Sequence, residues 1–114
     1  MSINLKITSK IKNNMPVLDL DGEIDVYTYP KLNEILLELI KEKYYCIVIN
    51  MEKIKYIDST GLGVLANCVN KIAPKNGELR IVCTNTQLTK IFSVSGLTNK
   101  NLLLFSDEKS ALKK

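Results

Sequence analysis

The fold of this chain is decided by the stretch Ile57-Asp58-Ser59-Thr60-Gly61-Leu62-Gly63, which joins a strand-like apolar run to an amphipathic helix. Residues 45–49 upstream are typical of a buried strand. Downstream, apolar residues recur at helical spacing, namely Leu62, Leu65, Ala66, Val69, Ile72 and Ala73. Ser59 is therefore expected at or beside a helix N-cap. The first amides of a helix lack intrahelical partners and its dipole favours an anion, so the sequence predicts a place that accepts a phosphate.

Two glycines in the first turns of this helix bear on what the helix start does. Each of Gly61 and Gly63 costs ~1 kcal/mol of helix stability relative to alanine. The simplest interpretation is that Asp58, Ser59 and Thr60 only cap the helix. A purely structural cap needs no pair of glycines, whereas small residues let a partner backbone or a phosphate approach closely. The glycines therefore favour a contact surface.

An alternating pattern opens the chain and predicts an antiparallel hairpin. Ile3, Leu5 and Ile7 alternate with polar residues, and a second alternating run covers residues 18–24. The turn between them is expected at residues 13–16. The acidic positions of the second run, Asp19 and Asp21, are interpreted as a solvated strand face and not as metal ligands.

The rest of the chain alternates between helical and strand patterns. Helices are predicted over about 28–41 with Thr28 as cap, over 59–73, after Thr84, and from Ser106 to about Leu112. Further strands are expected at 45–49, 79–83 and 102–105. This order predicts one α/β domain over residues 1–114, with a mostly parallel mixed sheet, an antiparallel N-terminal strand and about four covering helices. The strand order is not readable from the sequence.

Composition excludes several classes of function. The 114 residues include no histidine, which removes the usual general base and the commonest metal ligand, so neither an enzyme nor a metal site is expected. No glycine-rich phosphate loop with lysine occurs, so no nucleotide cofactor is expected. The net charge of +4 comes from scattered lysines with one arginine and no tryptophan, which argues against nucleic acid.

Cysteine usage and hydropathy bear on the compartment. The three cysteines are widely spaced and fall in or near apolar patterns, which favours buried, reduced thiols. No apolar run approaches the ~20 residues of a membrane span, and the first residues lack the order of a signal peptide. A cytoplasmic protein without membrane contact is expected.

Taken with Gly22-Glu23-Ile24-Asp25 at the end of the second strand, the opening stretch resembles the STAS domain of bacterial anti-sigma-factor antagonists. The resemblance covers length, element order and both motifs. It implies that Ser59 is phosphorylated by the anti-sigma factor, which is also a serine kinase, with Thr60 as the fallback acceptor. It also implies that Asp25 lies beside the serine and contacts the kinase, and that a metal-dependent serine phosphatase reverses the modification.

The resemblance thus predicts a binding switch. The unphosphorylated form binds the anti-sigma factor and frees the sigma factor, and phosphorylation causes release. Tyr27 is interpreted either as an exposed anchor or as packing against the first helix. The residues expected at the partner surface are Asp25, Tyr27, Asp58, Ser59, Thr60, Gly61, Leu62 and Gly63.

Two other functions stay open at this point. One is a stressosome-type STAS scaffold, and the other is a small-ligand or nucleotide-binding domain that uses the same helix start. A response-regulator receiver with Asp58 as phosphoacceptor is disfavoured. The first strand ends near residues 8–10 without paired acids, and the last strand runs into Phe105-Ser106 without a lysine.

Overall fold

The predicted hairpin is present at the start of the computed structural model, which describes residues 4–99 and 101–113. Strand β1 (Leu5–Lys12) pairs antiparallel with β2 (Met15–Ile24). Asn13 and Asn14 form the turn at φ values of 54° and 63°, the left-handed region that a two-residue hairpin turn requires and asparagine tolerates. The turn is shorter than predicted, because Met15 and Pro16 already belong to β2. Ile3, which the prediction placed in the first strand, lies outside the described residues.

Strands and helices then alternate as predicted. The hairpin is followed by α1 (Tyr29–Lys41), β3 (Cys46–Ile57), α2 (Ser59–Ile72), β4 (Glu78–Val82), α3 (Thr86–Ser95), β5 (Leu102–Phe105) and α4 (Glu108–Ala111). Two short 3-10 turns, Ala73–Lys75 and Leu97–Asn99, follow α2 and α3. The described residues thus contain the four helices that the sequence predicts.

The five strands lie in chain order, β1-β2-β3-β4-β5, with β1 antiparallel and the others parallel. Each parallel connection moves one strand in the same direction. Because such crossovers are right-handed, α1, α2 and α3 must all cover the same face of the sheet. The large core lies between these helices and that face, and its fully buried side chains include Leu18, Leu32, Leu36, Ile49, Leu65 and Phe92.

The opposite face of the sheet is covered in part by α4. Ala111 and Leu112 pack in a small second core formed with Met15, Val17, Val48 and Val82. The Arg80 guanidinium holds this segment, because it donates to the main-chain oxygens of Ala111 and Lys113 and pairs with Glu78 at 3.0 Å. The side of the sheet that carries α1 to α3 is therefore the more deeply buried one.

Strand β3 is much longer than the predicted 45–49. Its first five residues pair with β4, the last three of these, Val48 to Asn50, pair with β2 as well, and the remainder continues beside β2 alone. Two register shifts against β2 interrupt this extension, so buried residues recur every third position, at Met51, Ile54 and Ile57. Such bulges abolish the alternation by which a strand is recognised in sequence. Because of this extension, the last residue of β3, Ile57, pairs with the last residue of β2, Ile24.

Candidate functional site

The ends of β2 and β3 bring the two sequence motifs together at one edge of the sheet. Ile24 and Ile57 are partners in the parallel register, and the Asp58 amide donates to the Ile24 carbonyl at 3.2 Å. Asp25 and Asp58 are the next residues after these paired positions. They therefore emerge side by side at the carboxyl edge of the sheet, as expected for a site built from both motifs.

Asp58 is the N-cap of α2, and Ser59 is the first residue of the helix. The Asp58 backbone is extended, and its Oδ1 accepts from the Thr60 amide at 2.9 Å and from the Gly61 amide at 3.2 Å. Aspartate in this position satisfies first-turn donors and places a negative charge at the positive end of the helix dipole. Ser59 thus lies beside the cap, as predicted, while Asp58 makes the capping contacts.

The two candidate hydroxyls differ in exposure. Ser59 is exposed and Thr60 is half-buried, and the hydrogen bonds among the described residues include none to the Ser59 hydroxyl. Along the same helix face, Gly63, Asn67 and Asn70 are also exposed, and no charged residue occurs between Asp58 and Lys71. Ser59 therefore stands at the end of an uncharged, accessible helix face.

The two glycines of the motif have different environments. Gly61 is buried, and a Cβ atom there would lie 2.7 Å from both Ile24 Cγ2 and Ile57 Cγ1. The internal packing of α2 on the strand ends thus requires this glycine, so its interpretation as a place of close approach by another molecule was wrong. A Cβ at Gly63 would meet no atom within 4 Å, and this residue is exposed. Leu62 is half-buried against the core.

The loop between β2 and α1 is folded by its own polar side chains. Asp25 Oδ1 accepts from the Tyr27 amide at 2.9 Å and from the Thr28 amide at 3.1 Å. The Thr28 hydroxyl donates to the Glu23 carbonyl at 2.8 Å and accepts from the Asp25 amide at 2.9 Å. Thr28 occupies the predicted cap position of α1, but its side chain makes no capping bond because the loop uses it.

The sequence profile of the STAS domain matches residues 6–111. This chain belongs to the STAS domain family. An anti-sigma-B factor antagonist of Staphylococcus aureus (strain NCTC 8325 / PS 47) is 30% identical over 95 residues, which cover 83% of this chain and 88% of the relative.

Two solved structures show the same fold as this STAS domain. An anti-sigma factor antagonist from Mycobacterium paratuberculosis has a TM-score of 0.84 at 21% identity, covering 95% of this chain and 91% of that one. The Bacillus cell fate determinant SpoIIAA in its phosphorylated form has a TM-score of 0.71 at 19% identity, covering 93% and 95%. The predicted STAS-like α/β fold is thereby confirmed.

Sequence reasoning missed Val26 at this STAS domain site. Val26 is 54% exposed beside Tyr27, which is 61% exposed, so the loop between β2 and α1 carries two large apolar side chains in solvent. Of the two interpretations of Tyr27, the structure agrees with an exposed side chain and not with packing against α1. Val26 continues the apolar pattern of β2 in the sequence, and only the turn set by Asp25 directs it outward.

Other chemistry in this STAS domain is limited. Burial raises the pKa of the Cys68 thiol to about 12 and also raises the pKa of Cys46 and Cys83, so these thiols are poor nucleophiles at neutral pH. Within residues 4–99 and 101–113, no cluster of three or more acidic or cysteine side chains is arranged to hold a metal ion. No helix in that part of the chain is long and apolar enough to cross a membrane.

Proposed function

We propose that this STAS domain is an anti-sigma-factor antagonist whose binding is switched off by phosphorylation of Ser59. The observation that carries the proposal is the exposed Ser59 hydroxyl at the start of α2, beside two aspartates and at the end of an uncharged helix face. The Staphylococcus aureus relative bears the name of an anti-sigma-B factor antagonist, and one structural neighbour is in a phosphorylated form.

A phosphate on Ser59 would find few donors within the chain. The amides of Thr60 and Gly61, which an anion at a helix start would use, already donate to Asp58. The same occupancy argues against a free phosphate or nucleotide binding here. The covalent phosphate would therefore stay on the outer surface of the helix start, where a partner docks.

The consequence for a partner is electrostatic and steric. Phosphorylation adds about −1.5 to −2 charges beside Asp58 and Asp25. A surface that matches the uncharged face of α2 has no cation to pair with this charge, and burying an unpaired charge at an interface costs several kcal/mol. Because ~1.4 kcal/mol corresponds to a tenfold change in affinity, one phosphate suffices to release the partner.

In this scheme the chain is a substrate and not an enzyme. The anti-sigma factor is both the binding partner and the serine kinase, and a metal-dependent serine phosphatase restores the binding form. Ser59 is favoured over Thr60 as the acceptor because the threonine is half-buried. Since the partners act on a sigma factor, the chain works in the cytoplasm.

The test is incubation with the anti-sigma factor and ATP, followed by mass spectrometry and binding measurements. We expect one phosphate on Ser59, none on Ser59→Ala, and about hundredfold weaker binding by Ser59→Asp. Ser93→Asp is the matched control, since Ser93 is an exposed helical serine on α3. Phosphate at another residue, or equal binding by Ser59→Asp and wild type, would refute the switch.

A further inference from the structure

The two edge strands of the sheet, β1 and β5, differ in the side chains that they present to solvent. In the strand order of the described residues, each of them has a neighbouring strand on one side only. β1 is mostly exposed and carries Lys6, Lys10 and Lys12 on one face. Lysine side chains are a common protection of an edge strand against pairing with another chain. β5 has the sequence Leu102-Leu103-Leu104-Phe105 and lacks this protection.

The backbone of β5 presents hydrogen-bonding groups at its free edge. The carbonyls of Asn101 and Phe105 accept hydrogen bonds of 2.8 Å and 3.0 Å from amides in and directly after β4, so these two residues face β4. Backbone groups alternate in direction along a strand. The N–H and C=O groups of Leu102 and Leu104 therefore point away from β4, and an edge of this kind is a template for another strand.

The side chains at this edge are apolar on both faces of the sheet. Leu102 and Leu104 belong to the face that carries α1 to α3, and Leu104 is half-buried there. Leu103 lies on the opposite face, where it is 36% exposed beside the half-buried Phe105. A strand that pairs with β5 therefore covers apolar surface on both faces, in addition to satisfying the backbone.

A second copy of this chain is self-complementary at this edge. An antiparallel pair about a two-fold axis through Leu103 brings the outward backbone groups of Leu102 opposite those of Leu104 in the other copy, so that all of them are paired. Leu103 then lies opposite its own counterpart. Residues 101–106 include no charged side chain, so no like charges meet along the pairing segment.

The same operation fails on β1. With the axis at residue 8, Lys6 lies opposite Lys10, and with the axis at residue 9, Lys6 lies opposite Lys12. With the axis at residue 10, Lys10 lies opposite its own counterpart. Like charges directly opposite one another destabilise an antiparallel pair. Of the two edges, only that of β5 is therefore compatible with a second copy.

We propose that β5 is a self-association edge, through which two copies of this chain form an antiparallel, two-fold dimer with one continuous sheet. The pairing segment has only four residues, and interfaces below about 1,200 Å² are weak, so we expect a dissociation constant on the order of 10–100 µM. Ser59 follows β3, two strands away from this edge, and stays accessible in both copies. The dimer is independent of the proposed phosphorylation switch.

The first test is sedimentation equilibrium of the full chain at concentrations from about 5 µM to about 500 µM. We expect the wild type to shift from the monomer mass towards the dimer mass. Leu103→Lys should stay monomeric throughout, because the pair would place two lysines directly opposite one another. Ile11→Lys is the matched control on the other edge, since Ile11 is 54% exposed on β1, and it should dimerise as the wild type does.

Hydrogen exchange tests which edge is paired and whether the variant is folded. In the wild type, the amides of Leu102 and Leu104 should exchange several-fold more slowly at the high concentration than at the low one, whereas Leu103→Lys should show no such dependence. Urea denaturation checks that Leu103→Lys is folded. Leu103→Thr is the second variant, because threonine keeps a high strand propensity but removes apolar surface, and it should weaken the dimer several-fold.

Four outcomes would overturn the dimer. They are a monomeric wild type at every concentration, a dimer that survives Leu103→Lys, a dimer that is lost in Ile11→Lys, and exchange at Leu102 and Leu104 that slows only when the anti-sigma factor is added. None of them bears on the switch. Ser59→Asp should self-associate as the wild type does, so failure of the switch likewise leaves the dimer standing.

Discussion

Two strand-to-helix junctions lie side by side at the carboxyl edge of the sheet, and each begins with an aspartate. At the second junction Asp58 caps α2 directly, so that the helix starts at once and Ser59 faces outward. At the first, Asp25 folds a loop before α1 begins, and Val26 and Tyr27 project from it. An aspartate at the start of a junction is therefore followed by an exposed hydroxyl in one case and by exposed apolar side chains in the other.

The difference follows from what comes after each aspartate. After Asp58, the glycine at position 61 lets the first turn of α2 pack closely on Ile24 and Ile57, and the helix begins without an intervening loop. Behind Asp25, the buried hydroxyl of Thr28 replaces a direct helix cap and ties the loop to the end of β2. One junction is thus set by close packing and the other by hydrogen bonds.

The largest effect that tests this contrast is expected from Gly61→Ala. The new Cβ would lie 2.7 Å from two isoleucine side chains, both buried, so either the helix start or the strand ends must shift. We expect a loss of about 1–3 kcal/mol in the free energy of unfolding, measured by urea denaturation. Unchanged stability would mean that packing does not define this junction.

A smaller effect should distinguish the two aspartates. Asp58→Ala removes an N-cap and should cost about 1 kcal/mol of stability, whereas Asp58→Asn keeps the acceptor and should cost less. Asp25→Ala is the matched variant at the first junction. There we expect the change mainly in the loop, seen as faster amide exchange at Tyr27 and Thr28. Equal loss of stability and equal loop exchange in both alanine variants would contradict the contrast.

The fold could be predicted from the sequence largely because its signals are local. Apolar periods and turn residues predict the hairpin, the helices and the parallel class of the sheet. The long β3 was missed since its bulged half, with Met51, Ile54 and Ile57 buried, has a period of three that depends on register with β2. Strand order likewise depends on contacts between distant residues.

The candidate site also combines features that local sequence predicts with features that depend on contacts between distant residues. Its two motifs and the place of Ser59 are readable as a strand end followed by a helix start. The role of Gly61 cannot be read from the sequence. The side chains that exclude a Cβ at this position belong to Ile24 and Ile57, which come together only when β2 and β3 pair. Thr28 was predicted as a helix cap for a similar reason, since the competing acceptor, the Glu23 carbonyl, is five residues away and becomes available only when the loop folds.

The smallest effect is expected at Gly63, on the exposed face of α2. It tests whether a partner that contacts both junctions also contacts this helix face. A Cβ at this exposed helical position meets no atom of the chain, so Gly63→Ala should stabilise the free protein by about 0.5 kcal/mol through reduced backbone freedom in the unfolded state. If the partner packs against α2 from Ser59 onward, the same methyl group should weaken binding slightly. Urea denaturation and the dissociation constant are measured on one sample, with Ser93→Ala at an exposed helical position of α3 as the control. Higher stability with unchanged affinity would confine the docking surface to Ser59 and the Asp25–Thr28 loop, and weaker affinity would extend it along the helix.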